Sequence, residues 1–208
     1  MQLIGYLDSP FVRRVAISMQ FLGIEYEHRE LSIFRNFEEF RAINPTVKVP
    51  TLVLDNGLFL IDSTLIIDYL ETQCAGRRLM PGDSEAYATA LQYVGVAMVG
   101  MEKVAQIIYE TTQRPVERQH APWLERLRTQ LGGALELMEL IVAEQAGGGS
   151  RWLYGEQLTH ADISLAVAWR FIQFTECVSF DPADFPALSS FSARAEALPQ
   201  FQACPPTS

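Results

Sequence analysis

The rhythm of apolar positions changes partway along the chain. Residues 2–7 (QLIGYL) form a short apolar run of strand length. Ser9 then stands where a helix N-cap is favoured, and Pro10 where a first helical residue is. Phe11, Val12, Val15, Ile17, Ser18, Phe21 and Leu22 follow at helical spacing until Gly23 closes the helix. Residues 24–31 (IEYEHREL) alternate apolar with polar and predict a second strand. A weaker helix is expected at 34–43, ended by Asn44-Pro45. Two more strands, 49–54 and 58–61, are joined by Asp55-Asn56-Gly57, a hairpin link. Asp62-Ser63 opens a helix carrying Leu65, Ile66, Ile67, Tyr69 and Leu70. The expected order is β-α-β-α-β-β-α, with a parallel pair in the first half and an antiparallel hairpin in the second, hence a mixed sheet.

Beyond residue 76 the strand rhythm stops. Residues 76–85 (GRRLMPGDSE) read as a linker ending in a new N-cap. Helices are expected at about 85–112, 121–146, 160–174 and 187–197, with a short Gly-rich loop at 147–150. The predicted organisation is an α/β domain at 1–76, a linker at 77–85 and an all-α bundle at 86–208. Gly95 and Gly100 inside the first long helix each cost about 1 kcal/mol relative to Ala. They point to a close helix approach, a subunit interface, or room for a bulky neighbour.

Composition narrows the function classes. Of 208 residues, 49% are hydrophobic, enough to bury a core, and the formal net charge is -9. An acidic surface repels phosphate backbones and anionic lipid, so neither nucleic acid nor a membrane surface is an expected partner. The apolar-leaning stretch 93–109 contains Glu102 and Lys103 and is too short to span a bilayer. No secretion leader is read at the start, and cytoplasm is the expected location. Three cysteines (Cys74, Cys177, Cys204) and three histidines (His28, His120, His160) are widely spaced, which favours neither a disulfide framework nor a metal site. Gly147-Gly148-Gly149 lacks the strand context and Lys-Ser/Thr pair of a nucleotide loop.

LDSPFVRRVAISMQFLGIEYE, NPTVKVPTLVLDNG followed by LIDSTLIIDYLE, and RWLYGEQLTHADISLA are three blocks of the sequence that together carry a resemblance. They resemble the cytosolic glutathione transferases whose catalytic residue is a serine, and look most like the bacterial and plant serine-type classes. They lie in the family's order and span most of the chain. The resemblance implies a thioredoxin-like α/β domain followed by a helical bundle, glutathione as co-substrate with no other cofactor, a small hydrophobic electrophile as second substrate, and a homodimer.

Glutathione chemistry requires a stabilised thiolate, since a free thiol with a pKa near about 8.5 is mostly protonated at neutral pH. Ser9 is a plain N-cap by position alone; the resemblance makes its hydroxyl the donor to the sulfur, assisted by the helix N-terminus. Tyr6 remains the competing donor, because other classes use a tyrosine near the end of the first strand. The resemblance further assigns Val49 and a cis Pro50 to pairing with the cysteinyl backbone, Lys48 to the glycyl carboxylate, and Asp62 and Ser63 to the γ-glutamyl amine and carboxylate. Arg35 and Asn36 are weaker assistants. Phe11, Phe34, Met101, Ile108, Tyr109 and Trp169 are candidates for an interdomain second-substrate pocket, although aromatics at helical spacing are more often core. Thr159 and Asp162 read as a structural capping box. Glutathione-dependent peroxidase or disulfide reductase activity is the alternative, as is a non-catalytic interaction module. Isomerase relatives carry a Ser-Ser-x-Cys-like run that Asp8-Ser9-Pro10-Phe11 does not match.

Overall fold

The computed structural model describes every residue except 75, 77, 148–150, 179, 207 and 208. The Gly-rich loop, from residue 148 onward, and position 77 of the expected linker therefore lie outside the described residues. The chain divides into two compact units, Met1–Leu79 together with Ala197–Ser208, and Met80–Glu196. Residues 197–208, which the helical rhythm assigns to the bundle, group with the first unit instead.

The first unit runs β1 (Gln2–Ile4), α1 (Pro10–Leu22), β2 (Glu27–Arg29), α2 (Phe37–Ile43), β3 (Thr51–Val53), β4 (Phe59–Ile61) and α3 (Ser63–Thr72). Its four strands are ordered β2-β1-β3-β4. β1 pairs with β2 in parallel, Leu3 opposite His28; β3 pairs antiparallel with both β1 and β4, Leu52 opposite Leu3 and Leu60. The expected mixed sheet is thus present, with shorter strands than the apolar runs suggest. β1 stops at Ile4 because Gly5 turns to φ 132°. The Asp55-Asn56-Gly57 hairpin closes through Leu54 N–H to the Leu58 carbonyl at 2.8 Å, and Gly57 takes φ 84°. α2 starts three residues later than the periodicity predicts. The Ser32 hydroxyl accepts the N–H groups of Phe34 and Arg35 at 3.1 Å each, which holds this stretch as a turn. Ile4, Leu31 and Phe40 form a buried cluster here, with Val47, Val49 and Val53 packed against it.

The second unit contains α4 (Ser84–Thr112), α5 (Ala121–Gly147), α6 (His160–Phe174) and α7 (Pro186–Glu196). α6 is buried on every face from His160 to Trp169, as the apolar content of that segment requires. In α4, Gly100 faces Met138 Cε and Ile172 Cδ1, at 3.6 and 4.0 Å from where a Cβ would stand, while Gly95 faces nothing within 4 Å. Gly100 therefore makes room for bulky neighbours. Glu139 of α5 accepts the N–H groups of Ala187 and Leu188 at 2.9 and 2.8 Å, an anion satisfying the start of α7.

The capping box at the head of α6 is present, and its carboxylate makes most of the bonds. Asp162 accepts the Leu153 N–H at 2.9 Å, the Thr159 N–H at 2.7 Å and the Thr159 hydroxyl at 2.6 Å. Burial pushes the Asp162 carboxyl above its ordinary value, and these three donors pull it back. Asp162→Ala leaves two buried N–H donors unsatisfied, so it is expected to cost about 3 kcal/mol. Thr159→Val, which removes only the hydroxyl, is expected to cost about 1 kcal/mol. Urea denaturation of the two variants checks both the sizes and their order.

Candidate functional site

Three segments of the first unit meet at Gly5. A Cβ on Gly5 would fall 2.7 Å from Val12 Cγ2 of α1 and 2.9 Å from Val49 Cγ1. The exit of β1, the first turn of α1 and the approach to β3 are therefore held at a spacing that only glycine permits. The Gly5 N–H donates to the Arg29 carbonyl at 3.1 Å, and the His28 Nε2–H donates to the Gly5 carbonyl at 2.8 Å.

The loop from Gly5 delivers Ser9 to the head of α1. Ser9 has φ -70° and ψ 119°, the extended geometry of an N-cap, yet its side chain makes no capping hydrogen bond. Its N–H is satisfied by the Tyr6 carbonyl at 3.2 Å. The half-buried hydroxyl is thus uncommitted to the helix. With Pro10 lacking an N–H, the Phe11 and Val12 amides are the unsatisfied donors at this end, which carries partial positive charge. Tyr6 lies half-buried beside Ser9, its ring 5.3 Å below the Arg35 guanidinium. Burial raises the Asp8 carboxyl above its ordinary value, while the Ser9 N–H and the Arg35 charge oppose the rise.

The second segment is 44–50. The Val49–Pro50 peptide bond is cis, as the resemblance implies. Val49 is half-buried, and its N–H and carbonyl find no hydrogen-bond partner among the described residues. Lys48 is exposed. Its carbonyl accepts the Thr51 hydroxyl at 2.6 Å. Buried Asn44 organises the loop, donating to Thr51 Oγ1 at 2.9 Å and accepting the Thr46 N–H and hydroxyl at 2.9 and 2.8 Å. Val47 sits at φ 48°, an outlier for a β-branched residue costing about 1–3 kcal/mol. Its N–H bond to the Asn44 carbonyl, 2.9 Å, helps to hold it there.

The head of α3 joins α1 through Arg14 rather than at Gly5. Exposed Asp62 has φ 67° and caps the helix by accepting the Thr64 N–H at 2.8 Å. Ser63 is 1% exposed. Arg14, fully buried on α1, donates through one terminal nitrogen to the Ser63 hydroxyl at 3.0 Å and the Thr64 hydroxyl at 3.1 Å. A guanidinium only donates, so Ser63 Oγ accepts from it and keeps its own proton for another acceptor. Burial pulls Arg14 down to about 9, and the Asp62 charge opposes the fall; the side chain remains a cation at neutral pH.

The structure therefore links Ser9, Tyr6, Val49, Pro50 and Ser63 through Gly5 and Arg14, with Lys48 and Asp62 on the adjoining surface. Sequence reasoning overlooked Gly5, Asn44, Val47 and Arg14. Two signals were available: a glycine interrupting a strand pattern, which marks close approach, and cations in the first turns of a helix, where the dipole disfavours them unless they have partners. The proposed second-substrate residues differ in setting. Phe11 is half-buried and Phe34 is 54% exposed in the first unit. In the second unit Ile108 is half-buried, Tyr109 is exposed, Met101 is fully buried and Trp169 is 1% exposed, packed 5.5 Å from Phe185. Within that unit Met101 and Trp169 are core side chains. No cluster of three or more metal-ligating side chains occurs among the described residues, and no helix among them is long and apolar enough to cross a membrane.

Residues 3–78 match the family model for the glutathione S-transferase N-terminal domain, and residues 100–203 match the model for its C-terminal domain. The chain is 25% identical to the maleylacetoacetate isomerase of Mus musculus over 209 residues, covering 98% of this chain and 91% of that protein. It is 27% identical to glutathione S-transferase Z2 of Arabidopsis thaliana over 210 residues, covering 97% and 89%. Among solved structures it resembles a glutathione S-transferase of Methylobacterium radiotolerans in complex with glutathione sulfonate, with a TM-score of 0.87, 25% identity, and coverage of 100% of this chain and 95% of that one.

Gly5→Ala is expected to destabilise the protein by about 2–4 kcal/mol, through a strained backbone and a clash with Val12 and Val49. Arg14→Met strips the Ser63 and Thr64 hydroxyls of their charged donor and is expected to cost about 2 kcal/mol or more. Thermal and denaturant unfolding of the two variants test these expectations.

Proposed function

This chain belongs to the glutathione S-transferase family, and we propose that it binds glutathione on its first unit, stabilises the thiolate and joins the sulfur to a small hydrophobic electrophile. The observation that supports this most is Ser9. An N-cap serine normally spends its hydroxyl on the helix; this one does not. The hydroxyl donates to the thiolate sulfur beside the positive end of α1, and the thiol proton leaves to solvent. The sulfur lone pair then forms the new S–C bond as the leaving group departs with its electron pair, or as a double bond accepts a proton.

The remaining contacts follow from what each group offers. The unpaired N–H and carbonyl of Val49, ahead of Pro50, receive the cysteinyl backbone as an added strand. Lys48 pairs with the glycyl carboxylate. The Asp62 carboxylate meets the γ-glutamyl amine, and the Ser63 hydroxyl with the first α3 amides meets the γ-glutamyl carboxylate. Arg14 lies beneath that carboxylate as a buried positive charge. Phe11 and Phe34 offer apolar surface to the electrophile, and Ile108 and Tyr109 belong to the same proposal. A cytoplasmic homodimer completes the reading.

A second reading is isomerisation, favoured by the mouse relative, a maleylacetoacetate isomerase. Here the sulfur adds to a conjugated double bond and is expelled after rotation, so glutathione returns unchanged. The Asp8-Ser9-Pro10-Phe11 run speaks for conjugation. Product analysis separates the two, since conjugation consumes glutathione stoichiometrically and isomerisation does not. A panel containing peroxides and mixed disulfides covers the redox alternative.

Ser63→Ala is expected to weaken glutathione binding by about 10–100-fold in calorimetry, the value of one hydrogen bond to a charged group. Ser9→Ala is expected to leave binding nearly intact but to raise the bound thiol pKa by about 1–2 units, read from thiolate absorbance against pH. An unchanged thiol pKa in Ser9→Ala, with a raised one in Tyr6→Phe, would transfer the role to Tyr6. Absence of glutathione binding by the folded wild-type protein would leave a non-catalytic interaction module.

A further inference from the structure

Two neighbouring arginines leave the start of α1 in different directions. Arg14 reaches α3. Arg13, 2% exposed, reaches the C-terminal segment: its Nε donates to the Cys204 carbonyl at 2.8 Å, and its guanidinium lies 5.8 Å from the Phe201 ring centre. Arg13 is also the residue whose N–H holds the Ser9 carbonyl at 2.9 Å. The segment includes the short helix α8 (Pro199–Gln202). Phe201, with no exposed surface, meets Phe21 of α1 edge-on at 6.3 Å. Cys204 is 1% exposed, its Sγ 4.0 Å from the Tyr26 hydroxyl. Residues 199–204 are thus part of the packing around the helix that presents Ser9.

We propose that the segment 199–204 is a strap that positions α1, acting through Arg13 on the turns that carry both Ser9 and Arg14, the donor to Ser63, so that its docking and the occupation of the glutathione site favour one another. The proposal rests on the glutathione reading above. When the strap is docked, Phe201 and the Cys204 carbonyl fix the Arg13 side chain and with it the first turn of α1. When it is released, Arg13 loses these two contacts, α1 gains freedom at the end that carries Ser9 and Arg14, so that the Arg14 bond to Ser63 is less well placed, and Cys204 becomes accessible. Coupling of this kind is reciprocal: a ligand that prefers the docked state must suppress release, and a variant that favours release must weaken the ligand.

The full-length chain carrying Cys74→Ser and Cys177→Ser leaves Cys204 as its only thiol. Release is followed with an aromatic disulfide reagent: the Cys204 thiolate attacks, a mixed disulfide forms, and a coloured aryl thiolate departs. S-methylglutathione serves as ligand because it has no thiol to consume the reagent. The expected results are labelling slowed about tenfold by saturating ligand, and Phe201→Ala that labels faster and binds S-methylglutathione about tenfold more weakly. Labelling through local release is expected to be indifferent to low urea, whereas labelling that tracks global unfolding overturns the strap. So does a labelling rate unaffected by ligand, or a Phe201→Ala variant with faster labelling and unchanged affinity. If Phe201→Ala does not fold, the ligand and urea dependence of the parent chain decides alone. Calorimetry that finds no binding of S-methylglutathione removes the glutathione reading and the strap with it; binding without coupling removes the strap only.

Discussion

The buried guanidinium of Arg14 is the interaction on which the candidate site depends. Removing a cation from water costs several kcal/mol unless its hydrogen bonds are met. Here the hydroxyls of Ser63 and Thr64 and the nearby charge of Asp62 offset part of that cost, and burial still pulls Arg14 down to about 9. The result is directional. Because the donor sits on α1 and the acceptors begin α3, the two helices are fixed relative to one another at the ends where Ser9 and Ser63 stand. A hydrophobic contact would hold the helices together without choosing their axial offset. A charged donor shared between two hydroxyls does choose it, and it also sets which way the Ser63 proton is free to point.

Around this tie the backbone adopts conformations it would not choose locally. Val47 and Asp62 both have positive φ without being glycine, and both stand beside proposed contacts of the ligand. Asn44 holds the first of them with bonds to Thr46 and Thr51 and a backbone bond to Val47. Val47 and Val49 are anchored from below against Ile4, Leu31 and Phe40. The apolar core therefore sustains the local cost, buried Asn44 and Thr51 brace the loop from within, and Lys48 is left exposed.

The order of elements was legible because each strand and helix of the first unit carries its own rhythm and punctuation: Ser9-Pro10, Gly23, Asn44-Pro45, Asp55-Asn56-Gly57. The helical half was legible for the same reason, down to the Thr159 and Asp162 box at the head of α6. What was not legible is nonlocal. Nothing near Arg14 in the chain announces Ser63, and nothing near Phe201 announces Phe21. Trp169 and Phe11 are alike as aromatics on helices, and only packing separates the buried one from the half-buried one. The strand runs overshot for a local reason. Gly5 is apolar by composition, but its backbone turns away from the sheet to admit Val12 and Val49.

The grouping of Ala197–Ser208 with Met1–Leu79 has a consequence for the order in which this protein is made. A ribosome delivers the strands, α1 and α3 early, yet the side chains that cover Phe21 and engage Arg13 emerge only after the whole of Met80–Glu196. The first unit is thus begun before the second and completed after it, with Met80–Glu196 lying between its two parts in the sequence. A message cut short just after the codon for Glu196 would yield a chain whose bundle sequence is present and whose other unit lacks its closing piece.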